Sequence, residues 1–118
     1  MRRISRFTIA SVLALSVLVG GSIAMWPASA SSVTKVVKMT NALRYMPMTI
    51  TVHKGDQIKW RNVSSAGLQH TSTSKTWNSG VLNPGQSFTR RFNALGTFKY
   101  HCMFHGSQGM LGSIKVVA

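Results

Sequence analysis

From residue 31 onward the sequence predicts an all-β fold, either a β-sandwich or a small barrel. Three observations carry this. Six short runs rich in Val, Ile, Thr and Trp recur along it, turn-forming residues separate them, and side-chain character repeats with a period of two. No stretch after residue 30 has a convincing helical period.

The first run is Val33 to Met39, and the second is Met48 to His53. In the second, Ile50 and Val52 would face one side while Thr49, Thr51 and His53 face the other, the pattern of a half-buried strand. Lys54-Gly55-Asp56 then turns the chain into a third run, Gln57 to Asn62, which Ser64-Ser65-Ala66-Gly67 ends. Asn83-Pro84-Gly85 introduces the fourth, Ser87 to Phe92, and Ala94-Leu95-Gly96 the fifth, Thr97 to His101. There Phe98 and Tyr100 alternate with Thr97, Lys99 and His101. The sixth run is Ser113 to Val117. No internal repeat, low-complexity segment or second domain is visible.

The first 30 residues read differently. Arg2, Arg3 and Arg6 precede an apolar run from Phe7 to Val19, and Ala28-Ser29-Ala30 supplies a small-residue cleavage site. These are the parts of a secretory signal peptide, so cleavage after Ala30 is expected, leaving residues 31–118 as one exported domain. An uncleaved anchor is the alternative. Ile9 to Trp26 falls short of the roughly 20 mainly apolar residues of a span, and Ser11, Ser16, Gly20, Gly21 and Ser22 dilute it. Arg2-Arg3 also leaves twin-arginine export open. The destination is periplasmic or extracellular, with no stable membrane span after cleavage.

A small exported domain normally leans on disulfides, yet this chain has one cysteine and can form none internally. Cys102 is therefore either buried and inert or bound to something. Charge adds a second clue. Taking the three leader arginines from the formal +13 leaves +10, with Asp56 the only carboxylate side chain. That balance suits an acidic protein, an anionic membrane surface or nucleic acid. Export argues against nucleic acid. The cations are spread along the predicted strands, so the two readings are a solvated basic surface and steering toward an acidic redox partner. A monomer is expected.

The chemistry concentrates in Tyr100-His101-Cys102-Met103-Phe104-His105-Gly106-Ser107-Gln108-Gly109-Met110. A C-x2-H-x4-M spacing between two strands can aim a thiol, an imidazole and a thioether at one point, with Gly106 and Gly109 giving the backbone freedom to fold tightly. Soft sulfur donors suit Cu(I) and imidazole also suits Cu(II), and two His with one Cys and a long axial Met make a blue-copper electron-transfer site. The second histidine must come from elsewhere. His70 follows a turn at the same pole, whereas His53 adjoins a turn on the far side of its strand. His101 neighbours Cys102 and points to the opposite face.

These residues make the chain resemble the cupredoxins, in particular plastocyanin and amicyanin. The resemblance runs through Val52-His53-Lys54-Gly55-Asp56, Trp60-Arg61-Asn62, and Leu82-Asn83-Pro84-Gly85 with Phe88. It continues through Gly96 to Cys102 and Met110 to Val116. It implies an eight-stranded Greek-key β-sandwich, copper on His70, Cys102, His105 and Met110, and an apolar docking patch around His105. Phe104, Met46, Pro47 and Leu68 would line that patch. There are departures: Thr71 replaces the family's common Asn after the first histidine, the Pro between Cys and His is absent, and there is no acidic patch.

The expected function is a single-electron carrier with one mononuclear copper and no enzymatic activity. A copper carrier or storage protein is the alternative, with Met39, Met46 and Met48 as candidates for a Cu(I) transit site. Against that, Met48 is expected in the core, with Met46 and Pro47 on the rim of the copper pole. Zinc is a poor rival, because a thioether is a weak zinc ligand. Asn62-Val63-Ser64 matches a glycosylation acceptor.

Overall fold

The structure, a computed structural model, describes residues 31–118, and the expected signal segment lies outside the described residues. Seven strands form: β1 (Thr34–Met39), β2 (Tyr45–Met46), β3 (Thr49–His53), β4 (Gln57–Asn62), β5 (Ser87–Arg91), β6 (Gly96–His101) and β7 (Leu111–Val117). They make two sheets, ordered β2-β1-β4-β5 and β3-β7-β6. β1 runs parallel to β4 and β3 parallel to β7, while the other pairs are antiparallel.

The period of two fills the space between the sheets. Val37 and Met39 from β1, Val52 from β3, Ile58 and Trp60 from β4, Tyr100 from β6, and Ile114 and Val116 from β7 are all buried. Trp60 is fully buried at the centre, with ring centroids of Tyr100, Phe88 and Trp77 at 5.5, 5.7 and 5.9 Å. Both sheets and this core lie within residues 33–117, so the domain closes its own interior. At one pole Asp56 accepts the backbone N–H of Val33 at 3.0 Å and of His53 at 2.9 Å. Those two bonds hold its carboxyl below the usual carboxylate range. Gly112 pairs with Tyr100 across β6–β7, and a Cβ there would overlap the Tyr100 ring.

All six expected strands form. β2 was not legible, because two residues between Leu43, at φ 56°, and Pro47 carry no period to read. The resemblance implied eight strands. Residues 63–86 form no regular ladder and pair only through single bridges, His70 with Leu82 and Thr73 with Asn78 and His101. The Asn62 glycosylation reading is corrected. Asn62 is fully buried and both amide hydrogens are donated, to the Leu68 and Leu82 carbonyls at 2.8 Å each. Among the described residues no helix is long and apolar enough to cross a membrane.

Candidate metal centre

β6 ends at His101, and the next nine residues fold into a closed loop. Cys102 donates its N–H to the Met110 carbonyl (3.1 Å), and Met110 donates to the His105 carbonyl (3.1 Å). A single 3-10 turn, Gly106–Gln108, reverses the chain, and Gly109 at φ 90° returns it to β7. Gly109 thus takes the left-handed conformation glycine permits. Gly106 does not need it; a Cβ added there would meet the His101 side chain at 3.5 Å, an ordinary contact.

His70 reaches the same point from the segment between β4 and β5. It exchanges both backbone hydrogen bonds with Leu82, at 3.1 and 2.8 Å. Asn62, the last residue of β4, fixes that segment with its two amide donations and accepts the Ser64 N–H at 3.0 Å as well as the Ser64 hydroxyl. Thr71 then clamps the two segments together. Its N–H donates to Cys102 Sγ (3.4 Å), and its Oγ1 accepts the Met103 N–H (2.9 Å). Tyr45 Oη donates to the Thr71 carbonyl at 2.5 Å.

The outcome is a compact donor cluster. The ligand atoms of His70, Cys102 and His105 all lie within 4.8 Å of one another. Cys102 Sγ is 3.9 Å from His70 Nδ1 and 3.6 Å from His105 Nδ1. With metal–S bonds of about 2.3 Å and metal–N bonds of about 2.0 Å, a trigonal arrangement separates S from N by about 3.7 Å. The donor set therefore fits a single transition-metal ion. His70, Cys102 and Met110 are fully buried, and His105 is half-buried. Burial lowers the His70 pKa, and the neighbouring His105 lowers it further. The Thr40 carbonyl opposes this without closing a hydrogen bond, since Nε2 has no partner. The neutral ring is the form that can donate a lone pair to a metal.

The two histidines set aside from sequence are elsewhere. His53 sits beside Asp56 at the far pole with its side chain 70% exposed, and His101 is exposed behind Gly106. Of the expected rim, Met46, Pro47 and Phe104 are exposed and Leu68 is half-buried. Two methionine expectations need correcting. Met39 faces inward from β1 and is fully buried, which removes it from any transit site. Met48, expected in the core, is 49% exposed. It precedes the first strand residue of β3 and lines an outer groove with Leu111 and Lys99.

Sequence reasoning missed Asn62 and Tyr45 as residues that position the cluster, whereas Thr71 was already marked as standing in place of the family's common Asn. Asn62 carried a usable signal: the period through Ile58 and Trp60 places it inward, and a buried amide must be hydrogen-bonded.

Two sheets packed face to face, with a His–Cys–His cluster where their loops converge, define a cupredoxin. Residues 32–117 match the model of the copper binding proteins, plastocyanin/azurin family, and the chain belongs to that family. A chloroplastic plastocyanin of Tetradesmus obliquus is 30% identical over 116 residues, covering 87% of this chain and 78% of the relative. Plastocyanin of Prochlorothrix hollandica is 30% identical over 121 residues, covering 91% of each. A purple cupredoxin from Nitrosopumilus maritimus superposes with a TM-score of 0.63 at 25% identity, over 69% of this chain and 97% of that one.

Proposed function

We propose that this chain is a single-electron carrier, its copper held by His70, Cys102, His105 and Met110. The observation that carries the reading is the buried thiol with two imidazole nitrogens at 3.6 and 3.9 Å, in a chain of a copper-binding family. One copper cycling between Cu(I) and Cu(II) supplies the redox chemistry. Cys102 binds as the thiolate, and the Thr71 N–H tempers the charge on its sulfur. His70, His105 and Met110 would supply the remaining donors to the copper. Asn62, Thr71 and Tyr45 hold in place the segments that carry His70 and Cys102. Four protein donors leave no position for a substrate, so no catalysis at the metal is expected.

His105, half-buried, is the edge through which the electron passes, with the Phe104 ring 6.2 Å from its own and Met46, Pro47 and Leu68 as the other members of the expected docking patch. The domain works outside the cytoplasm after cleavage behind Ala30, as a monomer, exchanging electrons with proteins that present acidic surfaces. Phe104→Lys should slow exchange with the physiological partner.

The visible spectrum of residues 31–118 with one equivalent of Cu(II) is the test. An intense thiolate-to-copper band, absent in Cys102→Ser and bleached reversibly by reductant, is expected. Weak bands alone would refute the reading. They would favour copper transit, which the exposure of Met46, Met48 and Met103 would serve.

A further inference from the structure

Four of the eleven basic residues after residue 30 are gathered on one face by the sheet register. On β1, Thr34, Val36 and Lys38 face outward; on β4, Gln57, Lys59 and Arg61; on β5, Ser87, Thr89 and Arg91. Lys38 lies opposite Arg61 and next to Met46 of β2, Val36 lies opposite Lys59, and Gln57 lies opposite Arg91. The outer face of the four-stranded sheet therefore carries Lys38, Lys59, Arg61 and Arg91. No carboxylate side chain neutralises them, because Asp56 is the only one in the sequence and is held by two backbone N–H groups.

Neighbouring strands are about 4.8 Å apart, well inside a Debye length of about 10 Å at moderate salt, so these charges add. Like charges directly opposite each other destabilise a sheet, and Lys38 against Arg61 is such a pair. Folding does not favour this arrangement. An external anion does.

We propose that this face docks on an anionic lipid membrane. A pleated sheet surface offers cations spread across a plane rather than a pocket, which matches a plane of phosphate headgroups. Exposed Val36 (46%) lies among the cations and can enter the interface between headgroups and acyl chains. An acidic protein is the rival occupant, but the electron-exchange edge at His105 belongs to the pole and not to this side. Docking through the sheet leaves that pole free to meet proteins along the membrane plane. The opposite sheet presents two lysines outward, Lys99 and Lys115, beside Thr49, Thr51, His53, Thr97, His101 and Leu111.

The test is co-sedimentation of residues 31–118 with vesicles of equal phosphatidylglycerol and phosphatidylcholine, and with phosphatidylcholine alone. Binding is expected only to the anionic vesicles, and it should weaken as salt is raised. Replacing Lys38, Lys59 and Arg61 together by Gln should lower the partition coefficient about a hundredfold, near fivefold per cation. Lys38→Gln alone should weaken binding while leaving the thermal midpoint unchanged or higher, which a merely structural lysine would not do. Replacing Lys99 and Lys115 by Gln is the control and should cost far less per charge. Equal losses on the two faces would overturn the proposal in favour of general attraction. So would failure of the unmodified domain to bind anionic vesicles, and the protein reading would then stand if the triple variant slowed exchange with an acidic redox protein. Copper loading affects none of these outcomes, so they are independent of the electron-carrier reading.

Discussion

Asn62→Ala should be among the most damaging single substitutions in the domain. The side chain is fully buried and serves three groups: the Leu68 and Leu82 carbonyls, which otherwise keep only the Ser64 hydroxyl and the His70 N–H, and the Ser64 N–H. Each such bond contributes about 1 kcal/mol net, and a buried orphan costs at least as much. The loss is then about 3 kcal/mol. For a domain of this size each kcal/mol moves the thermal midpoint by about 4–8 °C, so the apo protein should melt about 12–24 °C lower. Circular dichroism melts of the apo and copper-loaded forms measure this. Leu68 and Leu82 also frame His70, so copper binding should weaken as well. A drop of less than about 4 °C would refute the reasoning, because it would mean water replaces those bonds without cost. Asn62→Asp is the companion: it keeps the acceptor, loses both donors and should be no milder.

Three other outcomes follow from the packing. Tyr45→Phe removes the hydrogen bond to the Thr71 carbonyl and should cost about 1–2 kcal/mol. Tyr100→Phe should be neutral or stabilising, because Tyr100 Oη is buried without a partner and burial has already pushed its pKa up to about 12; paired thermal melts separate the two tyrosines. Gly112→Ala drives a methyl into the Tyr100 ring and should cost about 1–3 kcal/mol through overpacking, measured as a lower denaturant midpoint at unchanged slope. Asp56 has a carboxyl pKa lowered by the Val33 and His53 N–H groups, so its stabilising contribution is present above the ordinary value of about 4 and is lost as pH falls through the lower folded one. Asp56→Asn should flatten that acid limb in a stability-versus-pH series, and an unchanged limb would remove Asp56 as its source.

Much of this was readable without coordinates, for identifiable reasons. Strands such as β3 and β6 announce themselves because alternate residues meet water and core. The Cys102–Met110 loop is legible because its donors are close in sequence. His70 was recoverable only from its place after a turn. The segment 63–86 resisted because its order comes from side chains bonding to backbone, as Asn62 does to Leu68 and Leu82, and such bonds leave no period. Met48 misled for the opposite reason. Its hydrophobicity suggests the interior, but position in the pleat decides the face, and Met48 lies just before the strand that would have fixed it.

The backbone bond from Cys102 to Met110 has an architectural consequence. It closes the loop at its base, so three of the four donors hang from a ring whose two ends are already aligned with β6 and β7. Lengthening or shortening the arc between His105 and Met110 would alter donor angles while leaving the strand register below intact. The arc of the loop and the register of the strands beneath it are in that sense set separately, joined where Cys102 meets Met110. Such a domain can be retuned at its tip without being rebuilt at its core.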